Sequence, residues 1–369
     1  MASYYEKERS FWRPGSWSRR AWLILGSVVV LIVVVVVGAV VGVRATRNSS
    51  ESTDKRYPDY FKINYSLADT YSPSNFFDKF TYFWGYDPAQ GFVHYAAQED
   101  ALGRNLTYVT SSNTILVKVD DKTGPDDTPN ASTGRHSVRL ESKRQYGPGL
   151  FIFDVKHTPY GCGTWPALWL TDPNNWPMNG EIDIMEAVNQ AATGNMMALH
   201  TTDGCEMNKI RRNMTGTATH VDCHNATDSN AGCVVTAPKH TYGEEFNRAG
   251  GGIVALEWRN EGIRAWMFGR NNVPNDITLA GQEQQQKIPD PSTWGPALAD
   301  FPATKCDIGA HFRNQSIIVN IDLCGALPNA VWGQSGCGPA SCDKFVADNP
   351  AAFSNAFWEF GGFQVYQAV

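Results

Sequence analysis

No long basic run occurs in the chain, and its formal net charge is -6. The electrostatic footprint of a nucleic-acid binder is therefore missing. A Gly-rich phosphate loop is also lacking, and no Ser is accompanied by the His and Asp partners of a hydrolase triad. Cys-x-x-Cys pairs and Cys/His clusters of ligand spacing are absent, which removes a zinc site. No stretch has the apolar period of a long amphipathic helix, and no internal repeat or low-complexity tract appears outside one apolar run. What the chain does hold is apolar and aromatic: 42% hydrophobic residues, ample for a packed core, and 12 Trp. Such rings fill cores or offer flat platforms to sugar rings.

The apolar run is Ala21 to Val43, 23 residues without a charge between Arg20 and Arg44. That length spans a bilayer core. It exceeds the hydrophobic region of a cleaved signal peptide and follows a polar segment, so it reads as an uncleaved signal anchor. Lysines and arginines flank it on both sides and leave its orientation open. All eight cysteines (Cys162, Cys205, Cys223, Cys233, Cys306, Cys324, Cys337 and Cys342) follow the run. So do the acceptor sequons at Asn48, Asn64, Asn105, Asn130, Asn213, Asn225 and Asn314. This places the C-terminal part in an oxidising lumen or exterior, with N-glycans and up to four disulfides whose pairing stays open. The expected protein is a single-pass type II membrane protein. It has a cytoplasmic tail over 1–20, the anchor over 21–43, a polar stalk over 44–60 and a folded domain over 61–369.

In that domain the signals are strands: 137–143, 149–157, 167–171, 181–188, 197–202, 252–259, 262–268, 316–323 and 357–367. Asn260-Glu261-Gly262 reads as a hairpin loop between two of them. Short strands split by Gly- and Pro-bearing turns predict one all-β antiparallel β-sandwich rather than two domains. The stretches 203–250 and 270–312 show no clear strand, and loops of that length are functional or tied down.

One strand carries a contradiction. "GEIDIMEA", Gly180 to Ala187, sets three carboxylates among residues suited to burial, whereas acids are rarely buried unless paired or used. Side chains alternate along a strand, so Glu181 and Asp183 share one face and Ile182 and Ile184 the other. Glu186 falls on the wrong face unless one extra residue, at Ile184 or Met185, forms a β-bulge. With the bulge, the Cα atoms of Glu181 and Glu186 are about 13 Å apart. If both side chains lean inward, their carboxyl groups approach to about 5–6 Å, the separation of a retaining rather than an inverting glycosidase. Asp183 between them is a like charge that shares a proton and helps keep one Glu acidic. The alternatives are a solvated acidic face and an all-oxygen calcium site.

The strand follows "WPALWL" and leads into "EAVN", and here the chain resembles glycoside hydrolase family 16, in particular its laminarinase-like endo-1,3(4)-β-glucanases. The resemblance covers most of 64–369. It runs from "NFFDKFTYFWGYDPAQGFVHY" through "GRHSVRLESK", "GCGTWPALWL", "GEIDIMEAVN" and "ALHTTDGC" to "VALEWRNEGIRAWMF" and "NIDLCG". It implies a concanavalin A-like jelly roll with a glucan cleft across a concave sheet. Glu181 would be the nucleophile, Asp183 its partner and Glu186 the general acid/base. Trp165 and Trp169, of equal parity on the preceding strand, and Trp258 beside the hairpin would offer sugar platforms or else pack as ordinary core rings. His200 would hydrogen-bond near the acids, and Arg139 would reach sugar hydroxyls or else pair with Glu141. No cofactor is required for the chemistry and no catalytic metal is expected, although a structural calcium ion is compatible with the family. Two departures touch the cleft rim: Ala187 where members often have Gly, and "CGALPNAVWG" in place of a shorter loop. The expected activity is retaining endo-hydrolysis of β-1,3 or mixed β-1,3/1,4 glucan. The alternatives are a transglycosylase of cell-wall remodelling and a non-catalytic glucan-binding protein.

Overall fold

The computed structural model describes residues 57–122, 134–278 and 287–369, together with Ser18. The expected anchor at 21–43 and the sequons at Asn48 and Asn130 lie outside the described residues. Among the described residues, no helix is long and apolar enough to cross a membrane.

The strands run in chain order β1 (Tyr65–Tyr71), β2 (Phe80–Tyr82), β3 (Val93–Tyr95), β4 (Thr107–Val109), β5 (Ile115–Lys118) and β6 (Arg135–Ser137). Next come β7 (Arg139–Tyr146), β8 (Gly149–His157), β9 (Thr164–Thr171), β10 (Glu181–Glu186), β11 (Met196–His200), β12 (Thr217–Ala218) and β13 (Cys233–Thr236). The last are β14 (Gly252–Arg259), β15 (Gly262–Gly269), β16 (Ala299–Pro302), β17 (Gln315–Leu323) and β18 (Phe357–Ala368). Two antiparallel eight-stranded sheets result. One has the order β16-β15-β14-β8-β18-β5-β4, with β1 also on β18; the other is β12-β13-β11-β10-β9-β17-β7-β2. The parallel pair β3-β6 stands apart. This is the all-β antiparallel architecture expected of a jelly-roll sandwich.

The core lies between the sheets, and strand parity decides which side chains enter it. On β8, Phe151, Phe153 and Val155 face inward with Leu168, Leu170, Ile182, Ile317 and Val319 of the other sheet. Their neighbours Leu150 and Ile152 face outward into a smaller cluster with Tyr65, Ile253 and Tyr366. Each such burial contributes about 1.5–3 kcal/mol. The outer cluster draws the chain start onto the sheet. The Tyr65 hydroxyl donates to Glu257 at 2.9 Å, and those of Tyr57 and Tyr60 donate to Asp300 at 2.9 and 3.1 Å. Residues 57–60, expected in the stalk, are thus held against the domain by the buried Asp300 carboxylate on β16.

The two long stretches without strong strand signals are tied down by covalent bonds. Cys205–Cys306 joins them, and Cys223–Cys233 closes a loop within the first. Cys162–Cys337 and Cys324–Cys342 fasten the segment after β17. All eight cysteines are therefore paired.

Candidate active site

The strand β10 has its bulge. Against β9, Glu181, Ile182 and Asp183 pair with Thr171, Leu170 and Trp169, and then Met185 and Glu186 pair with Leu168 and Ala167. Ile184 is the extra residue. Against β11 the ladder slips in the same place, Asp183 opposite Ala198 and Glu186 opposite Met196. The slip turns Glu186 to the face of Glu181 and Asp183, while Ile182, Ile184 and Met185 are buried. All three acids line one cleft of about 340 Å³ over the outer face of the second sheet.

A bulge takes backbone groups off the ladder, and here one side chain satisfies two of them. Asn195, fully buried just before β11, accepts from the Glu186 N–H at 3.1 Å and donates to the Ile184 carbonyl at 2.9 Å. Its own N–H donates to the Thr241 hydroxyl at 3.0 Å. The other end of β10 is fixed by Gly180, whose φ is +72°, and a Cβ there would lie 2.6 Å from the His311 carbonyl oxygen. Only glycine fits both conditions.

Around the acids, His200 lies opposite Glu181 on β11. Its Nε2 is 3.3 Å from Asp183 Oδ2 and 3.8 Å from Glu181 Oε1. The 3.3 Å contact is an ion pair rather than an aligned hydrogen bond, since Asp183 Oδ2 makes none. Nδ1 sits 3.0 Å from the Asn230 side-chain oxygen, which orients the ring and fixes Nδ1 as a donor. Burial disfavours the imidazolium, but the nearby Asp183 and Glu181 outweigh it and push His200 up to about 10. Burial, followed by the charge of Asp183, pushes Glu181 up to about 7. Burial and the charge of Glu186 push Asp183 up to about 6, against the pull of His200. Burial also raises Glu186, although the Trp165 N–H donated to its Oε1 at 2.7 Å works the other way. Three carboxyls facing one cation titrate as a set, with proton-holding and charged forms both accessible near neutrality.

Trp165 and Trp169 both line the cleft. Trp169 donates from Nε1 to Asn320 at 2.9 Å, and its ring lies 5.2 Å below the Arg139 guanidinium. Arg139 also lines the cleft, and its fork is engaged by Glu141 at 2.8 and 2.9 Å. Trp258 corrects the expectation of a sugar platform. It is 1% exposed and points with Val254 and Leu256 into the core from β14, a strand of the sheet that does not carry the cleft. Sequence reading missed Trp176, 43% exposed, which lines the cleft with Glu181 from the β9–β10 loop. It also missed Asn195. Nothing nine residues beyond an acid signals a clamp.

Two groupings of possible metal ligands occur among the described residues: Cys324, Cys342 and Asp343, and Glu181, Asp183 and His200. The first has its sulfurs in a disulfide. The second contains an imidazolium where calcium needs oxygen ligands. Neither fits calcium.

A model of XgeA-like catalytic GH16 domains matches residues 80–366. A probable glycosidase of Schizosaccharomyces pombe is 44% identical over 316 residues, 85% of this chain and 71% of that protein. An endo-1,3(4)-beta-glucanase of Arthroderma benhamiae is 40% identical over 314 residues, 82% of this chain and 65% of its own length. Among solved structures, GH16 laminarinase 16A from Phanerochaete chrysosporium, with two 6-O-glucosyl-laminaritriose molecules in donor and acceptor sites, is similar with a TM-score of 0.76 and 42% identity; the match covers 82% of this chain and 100% of that one. An elongating GH family 16 beta-1,3-glucosyltransferase is similar with a TM-score of 0.73 and 38% identity, over the same 82% and 100%.

Proposed function

This chain belongs to the XgeA-like family of GH16 catalytic domains, and from that premise we propose that Glu181, Asp183 and Glu186 perform a retaining double displacement in the cleft. The chain is a glycosidase that hydrolyses β-1,3 or mixed β-1,3/1,4 glucan. The observation that supports the residue roles most is the single inserted residue, Ile184, which brings Glu186 to the face of the other two acids.

Burial favours the protonated form of Glu186, and because Trp165 occupies Oε1, Oε2 is the oxygen that delivers the proton to the leaving glycosidic oxygen. Glu181 attacks the anomeric carbon as that bond breaks, giving a glycosyl ester and one shortened chain. To attack, Glu181 gives up the proton that its raised pKa favours, Asp183 is the neighbouring carboxyl that takes it, and the His200 cation offsets the charge left behind. Glu186, now a carboxylate, takes a proton from water, which attacks the same carbon and releases Glu181. Trp165 and Trp169 support the sugar rings. The chemistry uses side chains alone and needs no cofactor.

The test is proton NMR of laminarin digestion by the purified full chain. β-Anomers are expected first, and α-anomers first would contradict retention. A second reading, transfer to another glucan, is favoured by the similarity to the elongating glucosyltransferase. Products longer than the substrate would establish it.

For its location we propose a type II membrane glycoprotein anchored by 21–43, with the domain extracellular or lumenal and acting on cell-wall β-glucan. The four disulfides support an oxidising compartment. Asn64, Asn105, Asn213 and Asn314 are exposed and Asn225 half-buried, so these sequons are open to N-glycans. A mass loss on glycosidase treatment and protease accessibility from outside sealed membranes test both points.

A further inference from the structure

The stretch 203–250, which carries no clear strand signal, sends one loop over His200. The two ends of this loop are pinned to the chain neighbours of that residue. Cys233 pairs with Leu199 in the ladder between β11 and β13. On the other side, the Thr201 N–H donates to the Cys223 carbonyl at 2.8 Å, and the Thr201 carbonyl accepts from the Asn225 N–H at 2.8 Å. The Cys223–Cys233 disulfide joins the two ends, and both cysteines are fully buried. The closed loop 223–233 therefore has His200 at its base.

Above that base the backbone takes a conformation that residues other than glycine rarely adopt. Asp228, Ser229 and Asn230 follow one another at φ of +46°, +57° and +63°. Left-handed residues of this kind persist only where their surroundings hold them, and they gather at functional sites. Two residues on, Gly232 passes so close that a Cβ on it would lie 2.7 Å from His200 Cε1 and 2.7 Å from the Leu199 carbonyl oxygen. These constraints bring the Asn230 side-chain oxygen to 3.0 Å from His200 Nδ1. The charges around the ring account for the choice of an amide. Glu181, Asp183 and Glu186 of β10 all act on the imidazolium. A carboxylate at position 230 would bond Nδ1–H too, but it would set a fourth negative charge beside three acids that exchange protons. An amide oxygen satisfies Nδ1–H without that charge, and Nε2 stays turned toward Asp183 and Glu181 at 3.3 and 3.8 Å. Without the amide, a charged His200, itself buried, would hold an N–H with no acceptor, which favours a turned or deprotonated ring.

We propose that Asn230 is a positioning residue for the hydrolytic reaction, and that the 223–233 loop serves to hold it on His200 Nδ1 so that Nε2 faces the acids. Asn230 also borders the cleft, but its effect on the reaction passes through His200. This rests on the proposed roles of Glu181, Asp183 and Glu186, and it names what keeps their cation in place. A loop tied down for stability alone would leave the reaction rate of the folded enzyme untouched.

The test is a double-mutant cycle on the full chain, with kcat and KM measured on laminarin for wild type, Asn230→Gly, His200→Gln and the double variant. Glycine suits a φ of +63° and so removes the acceptor without straining the loop. In Asn230→Gly, kcat falls roughly tenfold, the worth of one hydrogen bond, while KM stays within about twofold of wild type. In the His200→Gln background the same substitution has no further effect on kcat, because the ring it acts through is gone. A raised KM at unchanged kcat would make Asn230 a sugar contact, and an equal loss of kcat in both backgrounds would make it act apart from His200. Either result overturns the proposal, as does an unchanged kcat. Failure of the hydrolysis reading appears separately, as wild-type enzyme that releases no product from laminarin.

Discussion

Asn195→Ala tests the claim that a buried amide holds the bulge and through it the acid. The substitution leaves the Glu186 N–H and the Ile184 carbonyl, now bonded at 3.1 and 2.9 Å, without partners in a buried place. An unsatisfied buried polar group costs about 1–3 kcal/mol, so the variant loses about 2–5 kcal/mol of stability, measured by guanidinium unfolding monitored through tryptophan fluorescence. Activity falls further than stability explains. A reacting group misplaced by about 1 Å costs on the order of a hundredfold in rate, and the loss appears in kcat on laminarin at a temperature where the variant is folded. Asn195→Asp retains an acceptor for the Glu186 N–H but not the donor to Ile184, and it lies between wild type and Ala in kcat. If Asn195→Ala unfolds within about 0.5 kcal/mol of wild type, the range of an ordinary surface change, and keeps full kcat, the bulge does not depend on this clamp and the reasoning is wrong.

Glu181→Gln is more stable than wild type above neutrality. The folded state holds the Glu181 proton up to about pH 7, so its contribution is present at low pH and is lost as pH rises from the ordinary carboxylate value through that point. Gln escapes the loss, and the difference grows to ~2–3 kcal/mol by pH 8; thermal unfolding across pH measures it, and a constant difference would contradict it. His200→Gln removes a cation that lowers Glu181, Asp183 and Glu186. The acidic limb of kcat/KM moves up by roughly one pH unit, and an unmoved limb would show His200 to be neutral in the working enzyme. Cys324→Ala/Cys342→Ala opens a crosslink across 18 residues and costs about 2–4 kcal/mol. Because Gly325 sits so near Trp165 that a Cβ on it would lie 3.2 Å from the ring, KM for laminarin rises as well; a variant with wild-type Tm would refute the stapling role.

The sheets were legible because their strands are long, β-branched and bounded by turns: β8 and β14 start and stop where pattern reading put them. The bulge followed from parity alone, since three acids can share a face only if one residue is skipped. Trp258 was assigned from its place beside the hairpin rather than from parity: Glu257 and Arg259 alternate with it, and it shares the core-facing parity of Val254 and Leu256. Short strands such as β12 and β16 were hidden because disulfides and neighbouring strands hold them where their own sequence does not. The attachment of Tyr57 and Tyr60 was hidden for a related reason, as it depends on Asp300, more than 200 residues away. The residues that finish the site, Asn195 on the bulge and Trp176 in the cleft wall, come from loops whose conformation no local period encodes.

The central claim is that Glu181 becomes covalently bonded to sugar while Glu186 moves the proton. It is tested most directly by trapping the full chain with a 2-deoxy-2-fluoro laminari-oligosaccharide bearing an activated leaving group, followed by peptide mapping. The account predicts one label, on Glu181 in the peptide containing Glu181-Ile182-Asp183, and none in Glu181→Gln. A label on Asp183 or Glu186, or α-configured product with no label at all, would contradict it.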